Sequence, residues 1–256
     1  MGIDERLVKT HLDVVAFGSA IQKASSEKKE RENHIGNNVY SVFYKINAYA
    51  ITLHGAVLTL CEGGWTHTTP LLLRAIMECS ANCLVVTNND CPEYMAFKYL
   101  YFPYLEILRD KGFTEELRAK NVADIETGLN NLSDREAKTK AEEFVYGERT
   151  YKRWYKPEED SITSIVEKYG GKEMLFVYGA LSAATHGYHF GMGLFKDDSD
   201  IITIDPMENP ERSKSAIIYS SRHLLDHLNI RNQYEKLGFD AEYYTLLDVI
   251  MSFKKE

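Results

Sequence analysis

The chain has 256 residues, of which 44% are hydrophobic, enough apolar material for a substantial core in one large domain or two small ones, and a single domain over 1–256 is expected. A formal charge of −8 excludes an overall electrostatic grip on nucleic acid or on an anionic membrane, so bulk DNA binding is not expected, while a local basic patch remains compatible with it. Met1 leads into the polar Gly2-Ile3-Asp4-Glu5-Arg6, and the longest apolar stretch, Ala48 to Cys61, is broken by His54 and Gly55; a cytoplasmic protein without membrane contact is the expectation.

Leu7, Leu12, Val15 and the residues around Phe17 predict an amphipathic helix that stops in the charged, serine-containing stretch 24–38, read as a mobile linker. A second helix runs from about Val39 to Cys61 and ends at Gly63-Gly64. A third begins at Thr69-Pro70, where threonine can cap and proline suits the first turn; the two form the expected centre of the core. Cys61, Cys79, Cys83 and Cys91 sit among apolar residues and read as small hydrophobes. Cys79 and Cys83 share a helix face, but the second close pair of a structural zinc site is missing, and no metal is expected there. Tyr94 to Arg109 predicts a helix kinked at Pro103, with Tyr94, Phe97, Tyr101 and Tyr104 or Leu105 facing the core.

Residues 113–146 predict an exposed, charged helical pair, Phe113 to Leu132 and Ser133 to Tyr146, the second opened by a capping box from Ser133 to Glu136. The run Glu148 to Lys156 interleaves four cations with three aromatics. That composition suits single-stranded nucleic acid, and equally a surface loop whose aromatics pack inward, which is the preferred reading. After a break at Gly170-Gly171, a helix is predicted from about Lys172 to His189. Gly191 to Phe195 and Ile201 to Ile204 read as a short β-hairpin. Asn209-Pro210-Glu211 is a helix start, that helix reaches Leu237 before Gly238, and a last helix covers Asp240 to Phe253. The fold class is therefore all-α, a multi-helix bundle with one short β-hairpin before the penultimate helix.

Three constellations carry chemistry. Arg74 and Glu78, one turn apart inside LLLRAIMECSANCLVV, need partners if buried; they satisfy one another, or Arg74 grips a phosphate or carboxylate while Glu78 orients an imidazole or accepts a proton. Tyr178, Ser182, His186 and His189 form a stripe on one face of a later helix. Ser182 and His186 lack an oxyanion motif or nucleophile elbow, so no hydrolase triad is expected. His186 and His189 could join Glu78 or His54 around a metal, yet the Glu-x-x-His motifs of a di-iron bundle are missing, and neither metal nor cofactor is expected. The third constellation is Ser221-Arg-His-Leu-Leu-Asp-His227. Arg222 and Asp226 are spaced for an ion pair, and His223 and His227 for a zinc protease helix, but Leu224 stands where the catalytic glutamate belongs.

Arg222 and His227, with four residues between them and a polar residue after the arginine, resemble the motif of HEPN ribonucleases from bacterial toxins and phage-defence systems. The resemblance implies a metal-independent endoribonuclease, with His227 as acid or base on the ribose 2′-hydroxyl, Arg222 stabilising the scissile phosphate, and two motifs facing each other across a homodimer. In order and spacing from Val39 to Leu237, the Arg74/Glu78 helix followed by the Tyr178, Ser182 and His186 helix also resembles an uncharacterised bacterial domain family. That likeness implies a helical cytoplasmic fold and no particular reaction. Three classes of function follow. They are an RNA-directed effector acting through Arg222 and His227, a binding module for a phosphate-bearing small molecule at Arg74, Glu78, Tyr178, Ser182 and His186, and a structural or interaction protein, with a homo-oligomer expected.

Overall fold

A computed structural model describes residues 3–32, 38–110, 112–147, 152–156, 158, 161–185, 194–196, 202–204 and 210–254. In chain order the helices are α1 (Glu5–Glu32), α2 (Asn38–Glu62), a short 3-10 turn (Thr66–Thr68), α3 (Thr69–Thr87), α4 (Pro92–Arg109), α5 (Glu115–Asn130), α6 (Arg135–Tyr146), α7 (Ile162–Thr185), α8 (Pro210–Glu235) and α9 (Asp240–Ser252). The architecture is an all-α bundle. Between α7 and α8, Leu194–Lys196 and Ile202–Ile204 pair antiparallel, with Phe195 opposite Thr203. These segments add no layer to the bundle, and the rest of the span assigned to a hairpin lies outside the described residues.

At the centre α2, α3 and α8 pack on one another; α1 and α9 cover α8, α4 covers α2 and carries α5 and α6, and α7 lies along α3. The contacts between α2 and α8 fix an antiparallel register. Cys61 Sγ meets the Ser213 carbonyl at 3.8 Å, His54 Nδ1 lies 2.5 Å from Ser220 Oγ, and the Phe43 and Tyr234 rings are 5.7 Å apart. Steps of seven and eleven residues on α2, and of seven and fourteen on α8, keep one face of each in the seam. The same register sets Asn47 level with His227, and both side chains lack hydrogen-bond partners among the described residues.

Several sequence expectations change. Residues 24–32, assigned to a mobile linker, continue α1. Lys, Glu, Arg and Ala are strong helix formers, and the segment is held from outside: Ser25 hydrogen-bonds Glu235, Lys28 Nζ donates to the Glu235 carbonyl at 2.5 Å, and Ser26 meets Tyr40 Oη at 2.9 Å. Likewise α7 begins at Ile162 and passes through Gly170-Gly171, because Ile165 and Val166 are buried and carry the helix across two poor helix formers. Pro103 lies inside α4 without ending it. Helix α6 is capped by Asp134, which accepts from Ala137 N at 2.7 Å, rather than by Ser133. Helices α5 and α6 occupy Glu115–Asn130 and Arg135–Tyr146 within the charged span.

The largest fully buried side chain is Arg231. Its Nε donates to Glu235 Oε1 at 2.8 Å, its terminal nitrogens reach Gln22 and Ser25 on α1, and its guanidinium lies 5.1 Å from the Tyr40 ring and 5.7 Å from the Phe43 ring. Removing one member of a buried ion pair leaves an uncompensated charge. Arg231→Ala should therefore lower unfolding stability by about 3–5 kcal/mol, whereas Arg231→Met with Glu235→Leu should recover a large part of the loss; urea denaturation of both checks this.

Three histidines are buried with neutral rings. His11 stacks on His54 with centroids 3.5 Å apart, and burial lowers His11 from its ordinary 6.5 to about 4. Burial, then the neighbouring His11, lowers His54 to about 3, and burial, then the Arg231 charge, lowers His227 to about 3. Folded-state values below the unfolded one mean that the unfolded chain takes up the extra protons. Stability should be full above about pH 6.5 and fall on acidification by about 1.4 kcal/mol per pH unit for each such histidine. Urea midpoints between pH 7 and pH 4.5 check the slope, which His227→Leu should make shallower.

Candidate functional site

Helix α3 is apolar on most of its surface because α2, α7 and α8 all rest on it, so its two charged residues have few directions in which to turn. Arg74 and Glu78, one turn apart, turn towards α7. There Tyr178 stands in the stretch Met174 to Thr185, which contains no charged residue. Arg74 Nε donates to Glu78 Oε1 at 2.9 Å, Tyr178 Oη donates to the same oxygen at 2.9 Å, and the Arg74 guanidinium carbon lies 5.3 Å from the Tyr178 ring centroid. One carboxylate oxygen thus joins a cation and a phenol from two helices.

Exposure decides what the cluster can do. Tyr178 is 2% exposed, while the side chains of Arg74 and Glu78 are 21% and 35% exposed. The phenol forms the floor and the ion pair an open rim. Burial, then the bond to Glu78, pushes the Tyr178 phenol up to about 12, so it remains a donor at neutral pH. Ser182 follows one turn later on α7 and is half-buried. His186 and His189, the rest of the stripe, lie outside the described residues.

The other candidates separate. Arg222 and His227 are five residues apart on α8, so their side chains point roughly 140° apart around the helix axis. Arg222 Nε donates to Asp226 Oδ2 at 2.6 Å, and Asp226 Oδ1 accepts from Tyr243 Oη on α9 at 2.8 Å. His227 is fully buried. The structure does not bring these two side chains together: the arginine is tied through Asp226 to α9 and the histidine faces the core. His54, a conceivable metal partner, is instead held between His11 and Ser220, and among the described residues no group of three metal-ligating side chains occurs. All four cysteines are free and buried, with thiols raised by burial.

From the run Glu148 to Lys156, Trp154 packs edge-on against Tyr99 with centroids 5.0 Å apart, and the Lys156 carbonyl accepts from the buried Lys98 at 2.5 Å. Lys98 also pairs with Glu158 at 2.5 Å. Two features escaped the sequence pattern: the Arg231 cluster and a cleft where the start of α2 meets α4. The helical stripe that holds Tyr101 and Tyr104 reads more readily as core than as a ligand platform, and Asn38, Ser41 and Lys45 carry a helical spacing with no composition that stands out.

A family model described as a family of unknown function, DUF5677, matches residues 38–202, more than half of the chain. The chain belongs to this family. The matched DUF5677 span contains Arg74, Glu78, Tyr178, Ser182 and His186 and ends before Arg222 and His227. No curated protein and no solved structure is a significant match.

Tyr178→Phe should cost about 1 kcal/mol, since the phenol is buried but its acceptor is partly screened by water. The same change in a Glu78→Gln background should cost less, because the charged acceptor is then gone; a double-mutant cycle in urea measures the difference.

Proposed function

We propose that this DUF5677 protein is a ligand-binding module whose site is the α3/α7 cluster, with Arg74 as the anion contact, Glu78 and Tyr178 as its positioning partners, and Ser182 at the margin. The observation that carries the reading is the open Arg74/Glu78 rim above the buried Tyr178 phenol. A guanidinium has five N–H donors, and Nε–H is the one given to Glu78. The terminal amino groups are those that a phosphate or carboxylate takes in bidentate fashion, and the Tyr178 ring beneath holds the guanidinium plane. A phosphate-bearing small molecule fits these donors better than a neutral one.

A nuclease acting through Arg222 and His227 has less support. His227 would have to leave the interior, and Arg222 would have to release Asp226. A purely structural role for the α3/α7 cluster predicts stability loss without any ligand effect.

Thermal unfolding with inorganic phosphate, a sugar phosphate and a nucleoside monophosphate distinguishes these readings. A ligand present at 100 times its Kd should stabilise the protein by about 2.7 kcal/mol, and Arg74→Ala should abolish the shift while the apo protein remains folded. Absence of a saturable shift with all three compounds, or an equal shift in Arg74→Ala, would refute the binding reading. Ribonuclease activity lost in both Arg222→Ala and His227→Ala with folding retained would favour the effector instead.

A further inference from the structure

Helices α1 and α9 run antiparallel, since Phe17 packs edge-on against Phe239 with centroids 6.1 Å apart while the Arg6 guanidinium lies 5.6 Å from the Phe253 ring. Between them lies an open groove of about 540 Å³. Of its lining residues, Phe17, Phe239 and Leu246 supply apolar area, and Ala16, Ala20 and Ala241 are short enough for a facing helix to approach closely. The apolar face continues past the groove. Leu12 stands one turn before Ala16 and is 55% exposed, and Val249 stands one turn after Thr245 and is 41% exposed. Lys9, Leu12, Ala16 and Ala20 follow at steps of three and four, as do Glu242, Thr245 and Val249, so each set lies on one face of its helix.

Charge decides what covers this face. Lys9 Nζ lies 3.0 Å from Asp13 Oδ2, and a pair so exposed to water contributes little, which leaves the ammonium open to a second carboxylate. Glu242 is exposed and has no partner among the described residues. The two aromatic contacts between α1 and α9 set Lys9 level with Val249, seven residues and about 10 Å along α9 from Glu242. Cation and carboxylate therefore stand at opposite corners of the face, on different helices.

A uniformly basic partner would meet Lys9 with a like charge, and a uniformly acidic one would meet Glu242 in the same way. A second copy of this chain satisfies both corners. Turned by half a turn about an axis normal to the groove, at the level of Leu12 and Leu246, it brings its Lys9 onto Glu242 and its Glu242 onto Lys9. The same operation sets its Leu12 against Leu246 and its Ala16 against Val249, so the exposed apolar side chains find apolar partners. We propose that the α1/α9 groove is the interface of a two-fold symmetric homodimer, with Lys9 and Glu242 paired across it twice. The interface lies outside the matched family span and shares no residue with the α3/α7 cluster, so it stands or falls separately from the ligand-binding reading.

Sedimentation velocity of the full chain from about 1 to about 100 µM tests this on the wild type, Lys9→Glu, Glu242→Lys, the variant carrying both changes, and an equimolar mixture of the two single variants. Lys9 and Glu242 are exposed, so these substitutions leave the core untouched. The wild type should approach twice the monomer mass as concentration rises. Each single variant should dimerise at least about tenfold more weakly, because the pair occurs twice in a symmetric dimer and reversal replaces attraction by repulsion. The double variant should return to within about threefold of the wild type, and the mixture should recover as well, since each single variant supplies the charge that the other lacks. A monomer at every concentration overturns the proposal and leaves the groove to a different partner. So does a dimer that the single variants leave unchanged, or a double variant and mixture that stay as weak as the single variants.

Discussion

A guanidinium with no water around it must find all its partners in the protein, and Arg231 finds them on three helices. Gln22 and Ser25 come from α1, Glu235 from the end of α8, and the Tyr40 and Phe43 rings from α2. Once that charge is inside, α1 has to stay helical past residue 22, α8 has to run to Glu235, and the start of α2 has to lie against both. The antiparallel α2/α8 seam follows, with His54 on Ser220 and then, one heptad further along both helices, Cys61 on Ser213. Helix α3 then closes the interior and offers its remaining side to α7.

That constraint also accounts for what the amino-acid pattern did and did not reveal. Helices α2, α3 and α9 were legible because a local signal marked an end of each: Gly63-Gly64 after α2, Pro70 at the start of α3, Gly238 before α9. The end of α1 was not, since 24–32 carries no apolar stripe and its helix is maintained by distant partners on α8 and α2. Gly170-Gly171 misled for the same reason, because tertiary burial of Ile165 and Val166 outweighs the preference of glycine for a break.

Site residues divide in a similar way. Arg74, Glu78 and Tyr178 were legible because two charged residues in an apolar run imply a partner, and a phenol on another apolar helix is a natural one. Arg222 and His227 show the reverse. Spacing along one helix does not state which faces are buried, and five residues separate an arginine turned to α9 from a histidine turned to the core.

The family span and the packing unit do not coincide in this chain, which matters for how the sites are supported. Residues 38–202 take in α2 to α7, with Arg74, Glu78, Tyr178 and every lining residue of the cleft, while α1, α8 and α9 lie outside. Yet α2 and α3 both bury their inner faces on α8, whose Ile217, Leu224, Leu225 and Leu228 are fully buried. Deprived of α8, α3 would expose the side opposite α7, at about 25 cal/mol for each Å² of apolar surface. The α3 backbone that spaces Arg74 from Glu78 would lose its support. The Arg74, Glu78 and Tyr178 cluster therefore belongs to the family segment, whereas its support comes from α8 and, through Arg231, from α1. The region outside the family span is in this sense the scaffold, and the polar clusters inside it are held in place by contacts that the family pattern does not describe.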